Sequence, residues 1–339
     1  MFRIEVEVAQ GIEDIARQEI LATFGAQLQV TNVERKKAAI QFDFSDRLAS
    51  LQELKSIVAP YIVLKYAIPR PKALLGHQHF QQLMETIAIV RTEQGSHFNT
   101  FSISAAGSHS SVMQRIRQTI AESTGLMYQD ETGDLLLRIR RVPDGWEVLL
   151  RIGDRPASTR FWRVCNMPGA LNAPVAYAIC KLAGIDGNSR VANLMCGSGS
   201  LMIETALNFQ PEAVLGYDYD LQALDCACQN LKAAGLSRLP LIAADVRALP
   251  LPAASVDVII ADLPFGQRIG AHAINESLYP DVMKEAARVS RENAVFAFIT
   301  HELRLTDQML VKQKSWQLIH SRQIALRGLH PRIYLLRKR

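Results

Sequence analysis

The sequence predicts an α/β protein whose C-terminal half is a seven-stranded, mostly parallel sheet with an antiparallel last strand, preceded by N-terminal α+β domains. From residue 190 onward, short apolar runs alternate with helix-length segments, and continuous apolar strands with helical crossovers form a parallel sheet covered on both faces. The last two runs, 316–326 and 332–338, are joined only by RGLHP. That link is too short for a parallel crossover, so these strands pair antiparallel. The first 152 residues instead mix short strands and helices in α+β order.

In chain order, FRIEVEV at 2–8 alternates as a strand does, and residues 11–24 place Ile12, Ile15, Ala16, Ile20 and Phe24 on one helix face. KAAIQFDF at 37–44 reads as a strand, and 45–57 as a helix with Ser45 as its N-cap. Pro69 and Pro71 mark a break. A second block follows, with helices at 79–91 and 109–123 and strands at 97–104, 133–140 and 146–152, the last two joined by the turn Pro143-Asp144-Gly145. The division expected is therefore 1–68, 69–152, a linker at 153–170, and 171–339. In the last part the strands are 190–195, 213–218, 240–245, 256–262, 293–300 and the final pair, and the helix at 221–235 stops at Gly235.

With 48% hydrophobic and 21% charged residues in 339, the chain has material for sizeable cores and is not a disordered one. No apolar run approaches the roughly 18 residues of a membrane span, and MFRIEVEVAQ is not a signal peptide. Five cysteines without a CxxC pair predict neither a disulfide framework nor a structural zinc site, which fits a reducing cytoplasm. Cys226 and Cys228 read as buried fillers of their helix, and His272, His301 and His320, which lack ligand spacing, as structural. The net charge of +5 suggests an anionic partner. So does the acid-free C-terminal stretch with Arg322, Arg327, Arg332, Arg337, Lys338 and Arg339, although a solvated tail explains that stretch as well.

The chemistry concentrates at strand ends. Asn193-Leu194-Met195-Cys196-Gly197-Ser198-Gly199 straddles a strand end and a helix start. Glycines there let a ligand approach the backbone at the positive end of a helix. It is not a phosphate-binding Walker loop and lacks the third glycine of a dinucleotide fingerprint. Asp218 ends the next strand, where an acid can hold ribose hydroxyls, and Asp245 the one after, beside the same crevice. The fourth strand ends in Asp262-Leu263-Pro264-Phe265-Gly266. A carboxylate next to a free carbonyl can accept both N–H bonds of an exocyclic amine on a ring stacked against Phe265. Such bonds aim the nitrogen lone pair at an electrophile, and no strong base is needed, because the methylated cation loses its proton afterward.

NLMCGSGSLMIE resembles motif I of class I S-adenosylmethionine-dependent methyltransferases, in the form found in RNA guanine-N2 methyltransferases, and DLPFG resembles their (D/N)-P-P-(F/Y)-G motif. GLHPRIYLLRKR is similar to that group's final strands, and the first half, with FSISAAGSHSSVMQRIRQTI, looks like an N-terminal ferredoxin-like domain followed by a THUMP domain. The layout resembles that of TrmN-like tRNA (guanine-N2) methyltransferases. The resemblance implies a Rossmann-like methyltransferase sheet and S-adenosyl-L-methionine as cofactor. It also implies a tRNA partner contacted at the acceptor stem and 3′ end, with no metal and no membrane, and a cytoplasmic monomer. By motif, Asn193, Met195, Cys196, Gly197, Ser198 and Gly199 line the methionine end, Asp218 and Tyr219 the ribose side, Asp245 and Val246 the adenine, while Asp262, Leu263, Pro264 and Phe265 hold the guanine. Asn193 stands where Asp is usual; an amide keeps a backbone-orienting hydrogen bond but brings no charge, so binding is expected to survive in a weaker form. Arg115, Arg117, Arg160, Arg163 and Arg268 are the expected phosphate contacts. The alternatives are a ribosomal-RNA guanine methyltransferase, a protein-glutamine or DNA-adenine methyltransferase, and a non-catalytic RNA-binding module on a degenerate fold.

Overall fold

The computed structural model describes residues 1–26, 28–34, 38–93, 98–266, 271–325 and 328–339. It divides into two compact units, Met1–Val8 with Glu13–Ser158, and Ala9–Ile12 with Thr159–Arg339. No helix among the described residues is long and apolar enough to cross a membrane. Two arginines singled out in the sequence, Arg268 and Arg327, lie outside the described residues.

The first unit runs β1 (Phe2–Val8), α1 (Glu13–Phe24), β2 (Val30–Glu34), β3 (Ala39–Phe44), a 3-10 helix (Leu48–Glu53), β4 (Ile57–Tyr66), a second 3-10 helix (Pro71–Leu75), α2 (His77–Glu93), β5 (Thr100–Ala105), α3 (Ser111–Thr124), β6 (Met127–Tyr128), β7 (Leu135–Val142) and β8 (Gly145–Arg151). Its strands form one eight-stranded sheet in the order β2-β3-β1-β4-β8-β7-β5-β6. Strand alternation sends Ile4, Val6, Phe42 and Leu135 into the core. In the same unit the Arg140 fork ties Glu5 at 2.9 and 2.6 Å to Glu147 at 2.9 and 2.6 Å. Both acids are buried and need that partner.

Two expectations fail here for physical reasons. The boundary at 68/69 falls between segments of a single sheet, because β4 pairs with β8 from Tyr61↔Arg151 to Tyr66↔Trp146. Pro60 hides β4 in the sequence; it sits close to the irregularity where β4 pairs with β1, a place where a strand tolerates proline. The helix expected at 45–57 is only a 3-10 turn at Leu48–Glu53, and its N-cap position is Arg47, not Ser45. Leu48 and Leu51 bury at a spacing that suits either helix type. Glu19 then captures the backbone N–H groups of Lys55 and Ser56 and ends the run.

The second unit contains α4 (Ala173–Leu182), β9 (Arg190–Leu194), α5 (Ser200–Phe209), β10 (Ala213–Asp218), α6 (Leu221–Ala233), β11 (Leu241–Ala243), β12 (Val256–Asp262), α7 (Ala271–Val289), β13 (Ser290–Thr300), α8 (Leu303–Lys312), β14 (Trp316–Gln323) and β15 (Arg332–Lys338). The sheet order is β11-β10-β9-β12-β13-β15-β14. The five strands from β11 to β13 pair in parallel, whereas β15 is antiparallel to both β13 and β14. On one face Ile259, Phe296, Phe298, Tyr334 and Leu336 pack with Tyr279 and Val282 of α7 and with Trp316. Each such side chain contributes roughly 1.5–3 kcal/mol by leaving water. The chain moves outward from β9 to β10 and β11, then crosses to β12 on the other side of β9. The crevice therefore opens beyond the carboxyl ends of β9 and β12, where open α/β sheets bind ligands.

Residues 153–170 are not a free linker. The division between units falls at Ser158/Thr159, and the residues after it pack within the second unit. Trp162 is fully buried, and Arg160 donates from Nε to Glu204 at 2.7 Å. Cys165 is joined to Cys226 by a disulfide with Cα atoms 5.4 Å apart. This corrects two readings: the chain does hold a disulfide, and Cys228 is exposed rather than a buried filler. Spacing alone could not pair cysteines 61 positions apart.

Candidate active site

The glycine-rich turn connects β9 to α5. Met195, Gly197 and Gly199 all have positive φ, at 48°, 53° and 82°. Glycine adopts this without penalty, whereas Met195 is strained, as residues at functional turns often are. The turn closes through Cys196 N–H to the Tyr217 carbonyl at 2.9 Å and Gly199 N–H to the Cys196 carbonyl at 2.8 Å. Nothing lies within 4 Å of where a Cβ on Gly197 would stand, so its backbone borders open space. That space is a cavity of about 140 Å³ walled by Met195, Gly197 and Ser198, by Met167 and Leu171 opposite, and by Asp262. The 167–170 part of this wall was missed in the sequence, where it read as linker.

Asparagine at 193 has a physical account. The side chain is wholly buried, and its Nδ2 donates to the carbonyls of Leu194 (3.3 Å) and Ile260 (3.2 Å). An aspartate would turn an acceptor toward two acceptors. The amide also leaves its Oδ1 buried without a partner, which is costly unless a donor arrives. Asp218, nearly buried, braces the site: Oδ2 accepts from Gly197 N–H at 2.8 Å and Oδ1 from Asp220 N–H at 3.0 Å. Each oxygen keeps a lone pair for a hydroxyl. Tyr219 beside it is 80% exposed, a large apolar surface at the crevice edge.

Asp245 is exposed and forked by Arg247, with Nη2 at 2.6 Å. The Arg247 side-chain bonds hold its carboxyl below the usual range. A ligand amine must compete with that arginine. Val246 is buried behind it.

Asp262 closes β12, half-buried. Desolvation pushes its carboxyl up to about 7. No donor among the described residues reaches it or the Leu263 carbonyl. Leu263 is buried, its N–H on the Ile299 carbonyl at 3.0 Å, and the half-buried Phe265 ring lies 6.2 Å from that of His301. The Pro264 carbonyl, in contrast, accepts from Tyr279 Oη at 2.7 Å and Asn275 Nδ2 at 3.0 Å. Those two residues, with Thr300 and Glu302, were not singled out in the sequence. Asn275 and Tyr279 are spaced i, i+4 on α7, so one helix face carries both, and that was the available signal.

The arginines divide. Arg115 is exposed on α3, and Arg117, half-buried, lies 4.3 Å over the Tyr128 ring. Arg163 donates to the Leu171 carbonyl (2.8 Å) and Ser200 Oγ (2.9 Å), supporting the cavity wall. Arg160 is 9% exposed and committed to Glu204, so it is withdrawn as a phosphate contact. Among the described residues, no cluster suited to a metal ion is present.

A glycine-rich turn after the first strand, acids at the following strand ends and a reversed last strand define a Rossmann-like, class I methyltransferase domain. The chain belongs to the UPF0020 family, RMKL-like methyltransferase domain, whose model matches residues 160–332. It is similar to mouse U6 snRNA (guanine-N(2))-methyltransferase THUMPD2, 35% identical over 138 residues, or 40% of this chain and 26% of that protein. It is also similar to a tRNA (guanine(6)-N2)-methyltransferase of Thermus thermophilus, 30% identical over 205 residues, or 60% of each. The chain thus spans less than two thirds of the length of these relatives. Among solved structures, TrmN from Thermus thermophilus superposes with a TM-score of 0.80 at 21% identity, covering 100% of both chains.

Proposed function

We propose that this protein is a tRNA guanine-N2 methyltransferase that moves a methyl group from S-adenosyl-L-methionine to the exocyclic amine of a guanosine in the acceptor stem, at position 6. One observation carries the reading: Asp262, which borders the cavity of the glycine-rich turn, and the adjacent Leu263 carbonyl are two acceptors without donors among the described residues. An amine with two N–H bonds satisfies both.

The site's residues fit the cofactor. The orphan Asn193 Oδ1 is an acceptor for an ammonium group, the open face of Gly197 admits a chain against the backbone, and Asp218 keeps lone pairs for ribose hydroxyls. Tyr219 belongs to the ribose side, and Asp245 and Val246 form the adenine side. When bound, the cofactor supplies an electrophilic methyl on a sulfonium. The protein's part is to strip water from the amine, orient its lone pair through Asp262 and the Leu263 carbonyl, and stack the base on Phe265, which together constitute a near-attack arrangement. A guanine paired in a stem must first be extruded, at a cost of a few kcal/mol that stacking partly offsets.

The first unit is read as an N-terminal ferredoxin-like portion followed by a THUMP portion that holds the tRNA acceptor stem and 3′ end, with Arg115 and Arg117 on phosphate. Arg268 belongs to the same reading. The protein acts as a monomer in the cytoplasm, where its substrate is. The test is direct. Incubation with labelled S-adenosylmethionine and a panel of tRNA, ribosomal and small nuclear RNA transcripts, followed by nucleoside digestion, should give N2-methylguanosine from tRNA. Label on adenosine or on protein, or on another RNA only, would overturn the assignment.

A further inference from the structure

Three polar side chains almost sealed from water converge on one turn of the active site. Tyr279 and Thr300 are 0% exposed and Asn275 is 1% exposed. Tyr279 Oη lies 2.7 Å from the Pro264 carbonyl and 2.6 Å from Thr300 Oγ1. Thr300 Oγ1 accepts from the Glu302 N–H at 3.0 Å. Asn275 Nδ2 reaches the same Pro264 carbonyl at 3.0 Å and Glu302 Oε1 at 3.3 Å. The hydrogens of this chain have a single arrangement. A carbonyl only accepts, so Tyr279 donates its one hydrogen to Pro264, and Thr300 must then donate its own to Tyr279.

Pro264 is an exposed residue, yet its carbonyl is held by side chains sealed from water, and burying two hydroxyls and an amide sets desolvation against each of these bonds. Tyr279 otherwise sits among apolar side chains such as Val282 and Phe298, where phenylalanine would serve. The clamp engages a carbonyl of the turn that the reaction does not use. It leaves open the Asp262 carboxylate and the Leu263 carbonyl immediately before it. The far end of the turn is held too: Gly266, at φ 67°, has the Glu302 carboxylate where a Cβ would stand, and Glu302 is fixed by His272 Nδ1 at 2.9 Å.

We propose that Tyr279, Thr300 and Asn275 are positioning residues for methyl transfer, clamping the Pro264 carbonyl so that Asp262 and the Leu263 carbonyl are held where the target amine arrives. The inference rests on the site being an amine methyltransferase, as read above.

Tyr279→Phe keeps the buried ring and removes only the hydroxyl. With RNA and cofactor both saturating, its single-turnover rate should fall by about 10- to 100-fold, the scale of a misplacement of about 1 Å. Dissociation constants for cofactor and RNA should stay within about twofold, a split that general destabilisation would not give. Thr300→Val should lose a similar factor and Thr300→Ser recover most of it. In an Asp262→Ala background, Tyr279→Phe should add less than about twofold, since residues acting through one group are not additive. Hydrogen exchange at the Leu263, Phe265 and Gly266 amides reads the clamp without turnover and should be at least about tenfold faster in Tyr279→Phe. A parental transfer rate, a fully additive double variant, or unchanged exchange would each overturn the inference. A parental protein that methylates no RNA, while Tyr279→Phe accelerates exchange as expected, overturns the functional reading and leaves the clamp standing.

Discussion

In the proposed reaction Asp262 acts as a charged acceptor in a place where charge is resisted. Desolvation puts its carboxyl at about 7, above the ordinary value near 4, so between those values the folded state binds the proton more tightly than the unfolded chain. Its contribution to stability is therefore full below about pH 4 and is lost as pH rises through about 7. Asp262→Asn should then be more stable than the parent at pH 8 by about 1–3 kcal/mol, with the difference vanishing toward pH 4; urea midpoints across pH measure this, and a gap that does not depend on pH would contradict it. Activity runs the opposite way: kcat/KM should rise with pH through about 7 as the acceptor ionises. Asp218 makes a second case. Its two oxygens already hold the Gly197 and Asp220 amides, so Asp218→Ala removes both the proposed ribose acceptor and the brace of the turn. Cofactor binding should weaken by ~1.5–3 kcal/mol, the range for bonds to a charged group, and calorimetry showing an unchanged dissociation constant would remove Asp218 from the site. All three acids were legible because each ends an apolar run. Whether Arg247 covers Asp245, or whether a donor reaches Asp262, depends on rotamers and distant neighbours that no motif encodes.

At the scale of elements, the least legible piece is the segment after Thr159, which carries the glycine, proline and polar residues of a linker and becomes one wall of the cavity. Its attachments include Arg160 on Glu204, the Asn230 side chain bonded to the Val164 and Cys165 amides, the Cys165 carbonyl and the Ser198 carbonyl, and the Cys165–Cys226 disulfide. The segment's partners in these attachments lie at least 44 positions away, so local pattern could not show them. The strands from β9 to β15 and the helix α6, in contrast, were legible, because an apolar run bounded by turn residues admits few structures. The disulfide makes this element testable. Closing a loop of 61 positions restricts the unfolded chain by about 4 kcal/mol in the entropic account. Cys226→Ser, or reduction, should lower unfolding stability by about 2–4 kcal/mol, and should loosen cofactor binding far less, because Asn230 still tethers the wall to the turn. Guanidinium unfolding with and without reductant measures the first effect. Equal midpoints would mean that the two thiols are close but unbonded in solution.

For the whole molecule, the two units were legible to different degrees. In the second, β9 to β10, β10 to β11 and β12 to β13 join neighbouring strands, so local pattern shows most of the sheet, although the crossing from β11 to β12 and the place of β15 between β13 and β14 are not given by it. In the first, the central strand β4 carries Pro60 and joins the early strands to β8. Helices and three other strands intervene between β4 and β8 along the chain, a separation no local window spans, so one sheet read as two blocks. The proposed function follows the same division, with the methyltransferase domain in the second unit and RNA affinity expected to draw on exposed cations of the first. Salt separates these cations from buried ones. Each arginine that neutralises a phosphate should contribute about −0.7 to −0.9 to the slope of log affinity against log salt. Arg115, exposed on α3, should make one such contribution, so Arg115→Ala should flatten the slope by about that amount. Arg160 should make none, because Glu204 holds its guanidinium at 2.7 Å with side chains only 8% and 1% exposed. Arg160→Ala should leave the slope as it was and destabilise the fold by about 3–5 kcal/mol, since a buried carboxylate loses its charge partner. Fluorescence anisotropy with labelled tRNA over a salt series, paired with thermal unfolding of each variant, reads both quantities. A flattened slope in Arg160→Ala would mean that the arginine leaves Glu204 for the RNA, and an unchanged slope in Arg115→Ala would take α3 out of the RNA-binding surface.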